Sequence, residues 1–585
     1  MTVSIVKDLK AAKSLDDLAL LLGFSASGLS YILYKSNSAA RYTEFQIPKR
    51  KGGTRTIKAP EPKLKLLQTR LAEILYNYLD GIEEKKKPFK AVSHGFAEGK
   101  SIITNAAVHK RRRYVLNIDL EDFFPTINFG RVRGVFIKDR RFEFDPKIAT
   151  IIAQIACHDH SLPQGSPCSP VISNIVGRLL DVRLVRLAKE HKCTYSRYAD
   201  DLTFSTNQST FPAALAAPDP AAAGKWIVGN ALDAEIVGTG FKINHGKTRM
   251  QFRDSRQTVT GLLVNEKVNI VPEYYRAARS MCSAFFQTGK YYHRVPAALV
   301  GGKAEDPMED IVYDTPPVLE GILSHIYLIK NTVDRRTSAE KKKEENVTAI
   351  RKLYHHFLFY KNFVISVRPL IVTEGKTDPI YLKAAIERLP KFHPKLGAFK
   401  GGKFQTTVRF LNFTSTVRDV LQLGGGSGDL MHFIEKYFKI LSKFKHAPLA
   451  APVIVLIDND DGAGKIFGKI QGLTKCPPIS TLTTEPFYYI TANLYMIKTP
   501  EIGKDKGMTC IETFFEDTVL KTVLGGKTLS LNKKHLEPGK YGKAIFAEKV
   551  IRPNKATIKF DAFEPLLDRI TAVLDHHAAK APPAA

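Results

Sequence analysis

Within Arg197–Thr206, read as RYADDLTFST, two aspartates stand side by side between strand-forming runs. TYSRYA and LTFST alternate as the two arms of a hairpin would, which places Asp200 and Asp201 at its tip. Adjacent carboxylates repel, and taking such charges out of water is costly unless something compensates them. The doublet is therefore either a solvated polar turn or a seat for cations. RRYVLNIDL, Arg112–Leu120, narrows the choice, because it reads as a strand with Asp119 near its end. Three carboxylates from two neighbouring strands make an oxygen cage of the kind that suits Mg²⁺. Two such ions can activate an attacking hydroxyl and steady a leaving pyrophosphate during in-line displacement. Glu121 would share Asp119's face and is the rival ligand, whereas Asp122 would point away.

Further motifs follow in a fixed order, and together they resemble the reverse transcriptase family over roughly residues 20–330. NIDLEDFF resembles the first palm motif, which implies Asp119 as a metal ligand and Phe124 as an aromatic gate against a ribose 2′-hydroxyl. LPQGSPCSP resembles the loop beneath template and incoming nucleotide, implying Gln164 and Gly165. YADD resembles the signature tetrad, and GFKINHGKTRM the next motif, with Lys247 placed to protonate pyrophosphate. KGGTRTIKAP resembles the fingers hairpin, whose Arg55 and Lys58 would grip the triphosphate of a dNTP.

Two smaller motifs resemble retron reverse transcriptases. NAAVH supplies Asn105 and His109 of an NAxxH element, and VTGLLVN supplies Val259, Thr260 and Gly261 of a VTG triplet. The resemblance implies that both regions recognise a cognate structured noncoding RNA. It also implies priming from an internal guanosine 2′-hydroxyl, which leaves a branched RNA–DNA product. VHKRRRY, Val108–Tyr114, is a basic, aromatic-bearing surface able to hold RNA.

Beyond residue 365 the pattern changes. RPLIVTEGKTD and APVIVLIDNDDGAGK are apolar strands ending in acids and glycines, the mark of a buried parallel sheet. Glu374 falls just past the first strand, Asp378 at the next helix, and Asp458 and Asp460 past the second strand. Ligand sites of open α/β sheets lie beyond the strand carboxyl ends, so Glu374, Asp458 and Asp460 could hold Mg²⁺ together. A calcium loop fails, because Ala463 and Lys469 stand where its glycine and glutamate belong. The three GKT triplets lack the glycine of a phosphate loop five places earlier. The acidic set resembles a Toprim domain of the OLD-type nucleases, which implies Glu512 as a further acid and Lys543 near a scissile phosphate. The expected fold is an α+β right hand (fingers, palm, thumb) over 1–365, then an α/β Toprim domain with a parallel sheet and a C-terminal extension over 366–585.

Charge supports a polyanionic partner: 87 Lys and Arg against 58 Asp and Glu give +29, spread over both parts. The six cysteines form no CxxC pair, which argues against a zinc module or a disulfide framework. No signal-peptide core opens the chain, and the longest apolar run, 447–457, is too short to span a bilayer, so a cytoplasmic, membrane-free protein is expected. Residues 330–352 read as a solvated helix or linker, and the tail from His576 as disordered. The reading that results is an RNA-directed DNA polymerase with a Mg²⁺-dependent nuclease effector acting on nucleic acid in antiphage defence. An intron-like mobile-element enzyme and a catalytically inactive nucleic-acid-binding scaffold are the alternatives, and homo-oligomerisation is left open.

Overall fold

A computed structural model of the protein describes residues 2–35, 41–49, 53–83, 92–296, 308–332, 334, 336–337, 340, 347–501, 508–531 and 537–580. The chain divides into two compact units, Met1–Tyr275 with Arg294–Ile311, and Arg276–His293 with Val312–Ala585.

The first unit is built on an antiparallel sheet. Thr194–Tyr198 pairs with Asp201–Thr206, which pairs with Tyr114–Glu121. The far side of Tyr114–Glu121 receives Lys242–Ile243 at one end and Arg249–Phe252 at the other. Val115, Leu116, Ile118 and Leu120 are buried, and Leu202 to Thr206 are buried without interruption. The helix Ser169–Glu190 turns Val171, Ile172, Ile175, Leu180 and Leu184 into the same core. Beneath the hairpin lies a fully buried ion pair. Arg197 donates to both carboxylate oxygens of Asp181, from Nε at 2.8 Å and Nη2 at 2.8 Å, and Tyr195 Oη donates to the same group at 2.9 Å. Arg197 Nη1 also donates to the Ala199 carbonyl at 3.2 Å, which ties the pair to the hairpin tip.

The fingers hairpin forms as the alternation and the Gly-Gly turn predict, with Tyr42–Pro48 antiparallel to Thr54–Pro60. The helix Leu15–Leu22 opens on a capping box between Ser14 and Asp17. It and the following bent helix are apolar, but Leu18, Leu22, Leu29 and Leu33 are buried in the core. Among the described residues no single helix is long and apolar enough to cross a membrane.

The second unit carries a five-stranded sheet in the order Arg409–Phe410, Leu370–Thr373, Val453–Ile457, Leu494–Lys498, Tyr488–Thr491. The first three pairings are parallel, and Leu370–Thr373 and Val453–Ile457 are buried at every position. The expectation of a parallel sheet needs one correction: Tyr488–Thr491 joins antiparallel, through the tight Asn493-containing reversal into Leu494–Lys498. Such an edge strand is common on otherwise parallel sheets.

The thumb-like stretches Met281–Arg294 and Lys352–Phe363 fall on the helices Pro272–Thr288 and Ala349–Phe359, and both stretches lie in the second unit but for Arg294. Their aromatic residues Tyr354, Phe357 and Phe359 are core, not exposed stacking surfaces. The helix Glu564–Lys580 runs through His576–Lys580, which the tail's composition did not suggest; residues 581–585 lie outside the described residues. Ten residues of the 330–352 charge run (333, 335, 338–339 and 341–346) also lie outside them.

Candidate active site

Strand pairing alone assembles the first acidic site. Asp119 and Asp201 are direct cross-strand partners. Asp200 is the second residue of a two-residue connection whose first, Ala199, takes a left-handed φ of 55°. The amide of Leu120 donates to the Asp200 carbonyl at 3.0 Å and fixes the tip against Asp119's strand. Burial and then Asp119's charge raise the pKa of Asp200, partly offset by Lys247 and Arg55. Burial, then Asp200 and Asp119, push Asp201 up to about 6, with Arg249 and Lys247 opposing. Lys247 Nζ donates to Asp119 Oδ1 at 2.8 Å, and that bond raises its own pKa. Asp119 is the strand acid whose charge acts on both hairpin acids, whereas Glu121 is exposed and pairs its backbone with Lys242.

Three carboxylates against one directly bonded ammonium leave a surplus of negative charge, and the raised pKa values register it. This donor set fits a divalent cation.

The substrate-side residues divide. Arg55 is close enough for its charge to favour ionised Asp200. Lys58 is not: its Nζ bonds Glu44 at 2.9 Å and Asp159 at 2.5 Å. Lys58 therefore stands in an ion-pair cluster with Glu44 and Asp159. Glu44, His158 and Asp159 bring three ligand-type atoms within 4.8 Å of one another, but the Lys58 ammonium bonds two of them, so an ion pair accounts for the cluster. Among the described residues, the carboxylates of neither acidic site close that tightly, as expected of charges that repel. Gln164's carbonyl accepts from the Lys58 amide at 2.8 Å. Gly165 has φ 128°, and a Cβ there would stand 2.6 Å from the Lys58 carbonyl oxygen, so only glycine lets this loop lie against the fingers hairpin. Phe124 is half-buried beside Phe123, at 5.4 Å between ring centroids.

Asn105 and His109 are fully buried, so neither side chain lies at the surface. His109 hydrogen-bonds Ser205 Oγ through Nδ1 and Ser196 Oγ through Nε2, each at 2.7 Å, and Ser196 Oγ donates to Asn105 Oδ1 at 2.6 Å. The motif thus locks its helix, Ile102–Ala107, to the back of the aspartate hairpin. Val259 is buried, while Thr260 and Gly261 form the two-residue turn between Thr258–Val259 and Leu262–Leu263, with φ of 47° and 81°. Thr260 Oγ1 donates to the Ile102 carbonyl at 3.3 Å, so the two motifs meet.

Burial, then Arg112 and His94, press the His109 pKa down from 6.5 to about 3. Between those values the unfolded chain takes up a proton that the folded chain refuses. Its contribution to stability is complete above about pH 6.5 and is lost progressively as pH falls toward 3. The urea midpoint of the protein should drop on going from about pH 7.5 to about pH 5, and drop less in His109→Gln. An equal drop in both proteins would remove His109 as the source.

The second acidic site lies in the other unit, past the carboxyl ends of Leu370–Thr373 and Val453–Ile457. The Asp458 amide donates to Glu374 Oε2 at 3.2 Å, and the Gly375 amide to Asp378 Oδ2 at 2.7 Å. Burial, then the charges of Asp458 and Glu512, push Asp378 up to about 7. Glu512 is fully buried; its Oε2 accepts from Lys543 Nζ at 2.8 Å, and its Oε1 has no hydrogen-bond partner among the described residues. Burial works against the Lys543 charge, but Glu512 holds its pKa above the usual lysine value. A buried carboxylate oxygen without a partner, beside two further acids, fits a cation. Asp460 Oδ1 accepts from the Gly462 amide at 2.9 Å and caps the short helical turn Asp461–Ala463. The strand ends at Ile457, so the two-residue alternation expected to bring Asp458 and Asp460 together does not reach them.

Sequence reasoning missed the supports of both sites. Asp181 sits mid-helix with no local signal beyond its charge on an apolar face. Lys498 is a fully buried lysine whose Nζ donates to the carbonyls of Ser480 and Thr481, each at 2.9 Å. Its neighbour across the sheet edge, Asn459, donates from Nδ2 to Thr481 and orients the backbone between Asp458 and Asp460.

The family described as reverse transcriptase (RNA-dependent DNA polymerase) matches residues 47–264. The retron Ec86 reverse transcriptase of Escherichia coli is 32% identical over 281 residues, which cover 48% of this chain and 80% of that protein. The chain belongs to the retron reverse transcriptase family. The retron Mx65 and Mx162 reverse transcriptases of Myxococcus xanthus are 35% and 34% identical, over 46% and 43% of this chain. The chain spans 61% and 53% of their lengths. Among solved structures, telomerase from Candida albicans with a fragment of telomeric RNA overlaps 55% of this chain and 60% of its own, with 10% identity and a TM-score of 0.29. Family membership gives the first unit a reverse-transcriptase catalytic domain and implies a polymerase mechanism dependent on divalent metal.

Proposed function

We propose that the protein copies its own structured noncoding RNA into a branched RNA–DNA, and that residues 366–585, within the second unit, form a Toprim-type, Mg²⁺-dependent nuclease that acts as effector in antiphage defence. The observation that carries the polymerase half is the direct pairing of Asp119 with Asp201 beside Asp200, with the pKa of both hairpin acids raised. Asp119, Asp200 and Asp201 would hold Mg²⁺, which when bound supplies the positive charge that activates a hydroxyl nucleophile and stabilises the leaving pyrophosphate. Lys247, bonded to Asp119, keeps a proton at Nζ within reach of that leaving group. Arg55 approaches from the fingers to hold the triphosphate. Phe124 offers its ring to the sugar. Asn105, His109, Val259, Thr260 and Gly261 act on the RNA through the shape of the surface they lock, not by side-chain contact from the buried pair. The exposed Lys110, Arg111 and Arg113 supply charge for its phosphates.

In the second unit Glu374, Asp378, Asp458 and Glu512 would hold Mg²⁺, with Asp460 shaping the adjoining turn and Lys543 facing a phosphate of the target. Division of the chain into an N-terminal polymerase and a C-terminal nuclease near residue 365 belongs to the same proposal. Purification from the native host, with sequencing of the nucleic acid that accompanies the protein, tests the retron reading. A branched RNA–DNA is expected; linear intron RNA would favour the mobile-element alternative, and nucleic acid without any DNA strand would overturn the polymerase role.

A further inference from the structure

We infer that Phe96 is a positioning residue for sugar selection: with Phe123, it is the ring that holds Phe124 in place. Phe96 has a left-handed φ of 58°, a conformation costly for a large side chain, and its side chain is 39% exposed. Burial therefore does not explain why phenylalanine stands where glycine or asparagine would fit the backbone with less strain. Its ring does have a neighbour. The centroid lies 6.2 Å from that of Phe124, at an interplanar angle of 57°. Phe123, 3% exposed and stacked on Phe241 at 5.5 Å, is the other ring against Phe124. Phe124 thus has one fixed wall, anchored in the core, and one wall supplied by a strained and exposed residue.

The surrounding structure over-determines that strain, as it must if the conformation is to persist. The His94 amide donates to the Arg197 carbonyl at 2.7 Å. Asn174 Nδ2 donates to the Gly95 carbonyl at 2.7 Å, and Tyr76 Oη to the Phe96 carbonyl at 3.0 Å. A Cβ on Gly95 would stand 2.6 Å from the Ala199 nitrogen, so the segment lies directly on the hairpin tip that presents Asp200. The backbone at Phe96 is registered to the aspartates, and its ring is registered to Phe124. A ring that must stop a 2′-hydroxyl needs a fixed distance from the reacting centre, and this segment supplies the ruler.

The inference rests on the reading of Phe124 as the sugar gate, so the test includes that residue. On a synthetic RNA template with a DNA primer, the ratio of kcat/KM for dNTP over rNTP is measured for the full-length protein and for Phe124→Ala, Phe96→Gly and Phe96→Tyr. Phe124→Ala should lower the ratio at least about tenfold, and Phe96→Gly about fivefold, while Phe96→Tyr retains it. Glycine adopts φ 58° freely, so the melting temperature of Phe96→Gly should hold or rise as selectivity falls. An unchanged ratio in Phe96→Gly with a reduced one in Phe124→Ala overturns the inference and leaves the gate standing. An unchanged ratio in all three overturns the gate itself. A falling melting temperature together with loss of the ratio in Phe96→Tyr would mark Phe96 as structural only and also overturn the inference.

Discussion

Asp201→Asn should lower DNA synthesis at least about a thousandfold, a loss of roughly 4 kcal/mol of transition-state stabilisation. The fold should survive the change. Asp201 sits opposite Asp119 and next to Asp200, and the crowding that pushes its pKa up to about 6 is a cost to the folded protein. A neutral amide of the same size removes that repulsion, so the melting temperature should stay level or rise. Primer extension on an RNA template, with thermal unfolding measured in parallel, reads both quantities. Retention of synthesis within about tenfold would mean that these carboxylates do not hold the ions that drive the reaction.

Asp458→Asn in the second unit should produce the opposite pattern: cleavage of nucleic acid, or toxicity in the host, falls at least about a hundredfold, while DNA synthesis stays within about twofold. Its carboxylate acts on Asp378, and its own amide is held by Glu374. Removal of its charge should also lower the Asp378 pKa from about 7, because Asp458 is the first neighbouring charge that raises it. Glu374→Ala is the companion test and should behave in the same way. Loss of synthesis together with cleavage would contradict two independent sites. Persistence of cleavage would move the nuclease elsewhere.

The residues legible in the sequence were those whose role depends on one strand and its end. Period-two alternation located the Tyr114–Glu121 strand and the aspartate hairpin, and pairing then brought Asp119 to Asp201 without help from side-chain packing. The buried strands Leu370–Thr373 and Val453–Ile457 were legible for the same reason: an apolar run that ends in acids. What stayed hidden depends on partners far along the chain. Nothing near Lys58 announces that Glu44 and Asp159 will claim its ammonium, 14 and 101 residues away. That Asp460 caps a turn was hidden too, because the strand expected to carry it ends at Ile457. The NAAVH motif gave away its importance but not its burial, because two serines on different strands decide where His109 sits.

The Arg197–Asp181 pair has a practical corollary. Ions in solution screen charges that water can reach, whereas a pair sealed inside the protein is screened far less. Phosphate contacts on the exposed basic surface weaken steeply as salt is added. A molar salt wash should therefore strip bound nucleic acid while the arginine continues to brace the hairpin from below, and desalting should return an enzyme with its carboxylates still in register.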